Sequence, residues 1–258
     1  MKRVIICLIA VFLLLPFVYG GCGGGDHKTV RLFGTTHGDA DPGGSILVQL
    51  SPQDGSFIGT IGSVGYWING LEYDAVSNKL YGTTSWHDPV FSYGLLEIDM
   101  GTAVATTIGL AGIDINNLTV NSLGELYGWS ESQEMGGGDD LISVDHTTGV
   151  ASTLGDSGLS TGVHGLAFDN NDVLYLVNSD GGVYSIDTAS GAATFTTNIG
   201  GRAHHGDFHP ETGMYWGIDE IYKFTSTMNL LIVDINAPAI LDSLHTADNL
   251  HAITFYYD

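Results

Sequence analysis

The sequence predicts an all-β chain, a five-bladed β-propeller with four antiparallel strands per blade. Two observations carry that prediction: one short motif recurs five times, and no stretch beyond the N-terminus holds an apolar 3.6-residue period between helix caps. The motif is Leu32-Phe33-Gly34, Leu80-Tyr81-Gly82, Leu126-Tyr127-Gly128, Leu174-Tyr175-Leu176 and Tyr215-Trp216-Gly217.

Each blade can be assembled around that motif. The strand before it alternates and ends in a turn, as in Gly70-Leu71-Glu72-Tyr73-Asp74, Asn117-Leu118-Thr119-Val120-Asn121, Gly165-Leu166-Ala167-Phe168-Asp169 and the more divergent His205-Gly206-Asp207-Phe208-His209. A third strand follows in Leu96-Glu97-Ile98-Asp99, Ile142-Ser143-Val144-Asp145 and Tyr184-Ser185-Ile186-Asp187, and a fourth in Ala105-Thr106-Thr107-Ile108 and Ala151-Ser152-Thr153-Leu154. Short β-rich segments with Gly, Asp and Asn between them are what a propeller blade requires. The ends match as well. His251 to Tyr256 reads as a first strand, whereas Val30 to Gly34 reads as a second, so the C-terminal strand is expected to complete the first blade and remove both exposed edges.

At the N-terminus, Lys2 and Arg3 precede an apolar run from Val4 to Val18 that ends in Tyr19-Gly20-Gly21-Cys22. The run is shorter than the roughly 20 residues of a membrane-spanning helix and contains Pro16, so residues 1–21 read as a signal peptide. Residues 22–29 are a Gly-rich tether, and 30–258 form one propeller domain. Cys7 lies inside the leader, which leaves Cys22 alone in the mature chain and rules out an internal disulfide there. The 7 basic and 29 acidic residues give a net charge of −22. Such a surface repels nucleic acid and anionic headgroups, so neither is an expected partner.

The Tyr19-to-Cys22 segment resembles a bacterial lipobox, with Tyr19 where leucine is usual. That resemblance implies lipidation at Cys22 and an anchor in the cell envelope; ordinary cleavage near Gly20 or Gly21, and secretion, is the alternative. The repeats resemble those of bacterial propellers of the NHL, YVTN and quinoprotein-like type, over nearly all of Val30 to Asp258. Two departures are a short fourth blade and Phe224-Thr225-Ser226 in blade five, where the others carry an Ile-Asp turn. The resemblance implies architecture and no particular reaction.

In such propellers the first strand lines the axis. The residue opening it is Asn69, Asn116, His164, His204 and His251 in turn, at spacings of 47, 48, 40 and 47. These five are the candidate axial ring. The loops between second and third strands are expected on the same face, bringing His37, Asp39, Asp41, Trp86, His87, Asp88, Glu131 and Asp219, together with Glu134, Asn178, Asp180 and Glu220. Two readings stay open. Either His164, His204 and His251 hold a divalent metal, Ca or a transition metal, with loop carboxylates as further ligands, or each polar residue bonds the backbone of the next blade. In the run His204, His205, Asp207 and His209, simple alternation puts the last three on one face and His204 on the other.

Other motifs are weak. Gly158-Leu159-Ser160-Thr161-Gly162 has the spacing of a nucleophile elbow without the strand and helix it needs. Asp39 and Asp41 open like a calcium loop, but Leu50 stands where its glutamate belongs. Asn117-Leu118-Thr119 is a glycosylation sequon in form only. The expected function is therefore a non-catalytic envelope or extracellular propeller, a monomer, that binds a protein or glycan on its loop face and meets a membrane only through a lipid. The alternative is a metal-dependent hydrolase or lyase with its site in the axial ring.

Overall fold

The computed structural model describes residues 29–37, 44–130, 138–162, 164–219 and 228–258. Among them there is no helix, and twenty strands form five four-stranded antiparallel sheets. Cys22 and the segments expected to be leader and tether, up to residue 28, lie outside the described residues.

Blade one consists of β1 (Val30–Thr36), β2 (Ile46–Leu50), β3 (Phe57–Ser63) and, from the other end of the chain, β20 (Leu250–Tyr257), in the order β20-β1-β2-β3. Blades two to five follow in simple sequence. They are β4 (Ile68–Asp74) to β7 (Ala105–Leu110), β8 (Ile115–Val120) to β11 (Ala151–Gly155), β12 (His164–Phe168) to β15 (Ala193–Asn198) and β16 (His204–Phe208) to β19 (Ala239–His245). The closure expected from the sequence is thus found, with Val30 opposite Tyr257 and Leu32 opposite Phe255.

Burial explains the composition of each strand. β4 and β12 are buried along their whole length, because an inner strand has a blade on either side. The outermost strands β3, β7, β11, β15 and β19 are largely exposed and rich in Thr, Ser and Gly. The apolar core is split into five clusters, one at each seam between neighbouring blades. At the closure seam, Leu32, Leu250, Ile253 and Phe255 of blade one pack on Trp216, Ile218 and Leu230 of blade five.

The recurrent Asp at the end of the third strand of blades two to five is a turn residue. Asp99 accepts the N–H groups of Gly101 and Thr102, Asp145 those of Thr147 and Thr148, and Asp187 those of Ala189 and Ser190. Blade five carries the same device at Asp234, which accepts from Asn236 and Ala237. This corrects the placement of its turn at Phe224-Thr225-Ser226. Those residues lie outside the described ones, and β18 (Asn229–Asp234) supplies the turn later in the chain.

A second repeated position ties the blades together. The fourth residue of the inner strands' first-strand motif is Glu72, Thr119, Ala167, Asp207 or Thr254, and it accepts the N–H of the following position in the next blade. Tyr73 donates to Thr254 Oγ1 (3.0 Å), Val120 to Glu72 Oε1 (3.2 Å), Phe168 to Thr119 Oγ1 (3.3 Å) and Phe255 to Asp207 Oδ2 (2.8 Å). Ala167 has no acceptor to offer, and the Phe208 N–H turns instead to its own neighbour, Asp207 Oδ1 (2.7 Å).

Candidate functional site

The five axial positions gather at one mouth of the ring, and β-bulges put three of them there. Pairing steps from Ile68–Thr84 to Gly70–Thr83, from Ile115–Ser130 to Asn117–Trp129, and from Leu250–Thr36 to Ala252–Thr35. Asn69, Asn116 and His251 are the extra residues, and a bulge re-aims its side chain out of the regular alternation. β12 has no such bulge at His164.

Blade five departs from the sequence alignment. Its register passes from His204–Ile218 to Asp207–Trp216, so His205 and Gly206 together oppose Gly217. His205 takes a left-handed conformation (φ +46°). A Cβ at Gly206 would run into the Trp216 carbonyl oxygen, so only glycine fits there. The alternation assumed for this strand is therefore broken. His204 and His205 sit together with ring centroids 5.1 Å apart, Asp207 points to the other mouth, and His209 leaves both to pack on Phe255 (4.8 Å) and Trp216 (5.8 Å).

The polar groups at this mouth pair across blade seams. Asn69 donates to Asn116 Oδ1 (2.9 Å) and Asn117 Nδ2 to the His164 carbonyl (3.0 Å), which buries Asn117 and removes the sequon from solvent. His164 Nδ1 lies 2.6 Å from the Gly162 carbonyl, and its ring stands 6.0 Å from Trp129. His37, from the end of β1, reaches the Ile68 carbonyl with Nε2 (2.7 Å) and stacks on His251 at 4.1 Å; His251 lies 4.6 Å from His205. The closest imidazoles are thus His37, His251 and His205, a different trio from His164, His204 and His251. Among the described residues, no three His, Cys, Asp or Glu side chains are placed to hold a metal ion. Burial pushes His37, His204, His205 and His251 below the ordinary histidine range, His204 to about 3, and the neighbouring imidazoles add to this for the last three.

The loop-face residues divide by role. Asp88 is buried and accepts the N–H groups of Trp67, Val90 and Phe91, so it shapes its loop. Asn178 accepts from Gly162 and Ser179, and Asp180 from Gly182. Burial raises the Asp219 carboxyl, against the opposing pull of Arg202. Asp39, Asp41, Glu131, Glu134 and Glu220 lie outside the described residues. Trp86 and His87 are exposed, as is Trp67 in the connection from β3 to β4, whose ring stands 6.3 Å from His87 and 6.1 Å from His37. Sequence reasoning missed Trp67 because it belongs to a connection between blades and to no repeated position. The elbow-like Gly158 to Gly162 segment lies between β11 and β12, with no helix after it.

The opposite mouth holds a cavity of about 620 Å³ lined by Glu72, Tyr73, Phe168, Asp207, Phe255 and Tyr257 among others. Thr254 Oγ1 stands 3.4 Å from both Glu72 Oε2 and Asp207 Oδ2. Burial drives both carboxyls up, Asp207 to about 6, and the facing Asp207 adds to the rise at Glu72. Glu72, Asp207 and Thr254 all occupy the fourth position counted from the axial residue of their blades.

No family model matches the chain, and no curated protein matches it in sequence. Solved structures do. A chain from the crystal structure of a nidogen/laminin complex superposes with a TM-score of 0.58 at 13% identity, over 88% of this chain and 98% of that one. TolB from Acinetobacter baumannii superposes with a TM-score of 0.54 at 14% identity, over 84% of this chain and 53% of that one. At these identities the likeness extends to the fold alone, and the fold is a β-propeller.

Proposed function

We propose that the chain is an exported, non-catalytic propeller that binds a protein partner on its loop face, with Trp67 and Trp86 as anchors. The observation that carries this is the division of its four tryptophans. Trp129 and Trp216 are core residues, whereas Trp67 and Trp86 are each 40% exposed and bracket His87 at the same mouth. Exposed tryptophan is uncommon on a free surface and is over-represented among residues that dominate binding. The net charge of −22 favours a basic partner through its attraction at a distance. A fold neighbour taken from a nidogen/laminin complex supports a protein ligand over a small molecule. Export rests on Lys2, Arg3 and the apolar run before Cys22, with lipidation at Cys22 as the anchor.

A photo-cross-linking residue at position 86 should yield a discrete adduct in the native envelope, and the adduct should vanish in a Trp67→Ala background. The same residue at Leu123, exposed in a turn at the other end of the blades, should yield none. Adducts from position 123 and none from 86 would overturn the assignment. Cys22→Ser should move the protein from the membrane to the soluble fraction.

A further inference from the structure

Three imidazoles, His37, His251 and His205, pack ring on ring at the loop-face mouth. His37 joins blade one to blade two through its ring on the Ile68 carbonyl (2.7 Å), and holds β1 to the start of β20 in its own blade through its backbone N–H on the Asn249 carbonyl (2.9 Å). Its ring covers His251, which in turn touches His205. His205 Nδ1 and His251 Nδ1 are shut off from solvent with no hydrogen-bond partner. A protonated imidazole carries two N–H donors, and neither of these nitrogens faces an acceptor.

Among the described residues, the other charged and titratable groups around the cluster offer no compensation. His204 from β16 and His164 from β12 are further imidazoles that oppose its charging, and His87 lies beyond Trp67. Arg202, before β16, also opposes protonation of His204, and Asp219 at the end of β17 is turned to Arg202. Among the described residues, no carboxylate hydrogen-bonds any of the three stacked rings.

We propose that the His37–His251–His205 stack is an acid-sensitive latch, which proton uptake opens at the loop-face mouth while the rest of the ring stays folded. A first proton on His37 or His251 places a charge against a ring 4.1 Å away, and a second places like charges side by side in a site poor in water. The rings are relieved by turning out to solvent, which breaks the bond of the His37 ring to the Ile68 carbonyl and frees the His37 segment to leave the Asn249 carbonyl. Opening linked to two protons rises up to about a hundredfold per pH unit, and to one proton about tenfold.

The test is amide exchange on the full chain, corrected for the intrinsic rate, between about pH 7.5 and about pH 5. The His37 amide should lose protection by more than about tenfold, while the Phe168 amide, bonded to the Thr119 hydroxyl at the opposite mouth, keeps its own. His205→Asn and His251→Asn should abolish the acid effect and retain protection at neutral pH. Asparagine tolerates the positive φ at 205, and it is the residue that blades two and three carry where blade one has His251. Imidazole NMR on the unmodified protein gives a second readout, in which His205 and His251 should titrate together with the loss of protection. Equal loss at Phe168, unchanged protection at His37, or an acid effect that survives both substitutions overturns the latch.

Discussion

Thr254→Val removes one hydroxyl from the seam where the chain closes on itself. The side chain is fully buried, and valine matches its shape, so packing changes little. Three groups lose a partner: the Tyr73 N–H (3.0 Å) and the Glu72 and Asp207 carboxyls (3.4 Å each). An orphaned buried N–H costs about 1–3 kcal/mol, and a lost hydroxyl donor to a carboxyl about another 1 kcal/mol, for a total of roughly 2–4 kcal/mol. For a domain of this size that lowers Tm by roughly 5–15 °C. Thr119→Val is the internal control, because it withdraws only the 3.3 Å acceptor of the Phe168 N–H and should cost about 1–2 kcal/mol. Urea unfolding followed by far-UV circular dichroism gives both values, with the slope unchanged if the unfolded state is the same. A loss below about 1 kcal/mol for Thr254→Val, or an equal loss from Thr119→Val, would refute the view that this position staples the blades and that closure depends on it most.

Truncation from Leu250 onward removes β20, exposes β1 as an edge and uncovers Leu32 and Trp216; the product should lose its cooperative urea transition. Glu72→Gln keeps an acceptor for Val120 and resembles the protonated acid that burial favours, so unfolding at neutral pH should find it at least as stable as the parent. Stability should vary with pH through two opposed sets. The imidazoles His37, His204, His205 and His251 are held below 6.5, so the unfolded chain takes up protons first and their contribution is lost as pH falls below that value. Glu72 and Asp207 are held high, so the folded chain keeps protons that the unfolded chain releases, and their penalty fades as pH falls through about 6. The double variant His205→Asn, His251→Asn should therefore flatten the acid limb of a Tm-versus-pH curve. Gly206→Ala should fail to fold or lose Tm sharply in a thermal scan, because its Cβ meets backbone that cannot move. Incubation with a chelator should leave Tm unchanged, since the imidazoles at the axis pack ring on ring.

The blades were legible because they repeat the same local chemistry: an alternating inner strand, an aromatic second strand and, in blades two to five, an Asp-capped turn. Such signals are short-range and survive in sequence. The ring positions were legible as one column of polar residues, one per blade. The bulge at His205-Gly206 in blade five was not, because it costs one residue of register and leaves no mark that distinguishes His205 from the neighbouring His204. The Glu72, Asp207 and Thr254 set was present in the same alignment, but a column mixing Glu, Thr, Ala, Asp and Thr looks unconserved until the shared partner, a backbone N–H in the next blade, is known.

By itself the sequence determined the all-β class, five blades, the closure by the last strand and the acidic character, since periodicity, turn residues and charge are properties of neighbours along the chain. Only the tertiary structure decided which histidines touch, which acids face each other and which tryptophans remain exposed. Those are contacts between residues as much as 214 positions apart, such as His37 and His251, and a shift of one residue in a single bulge is enough to exchange one partner for another.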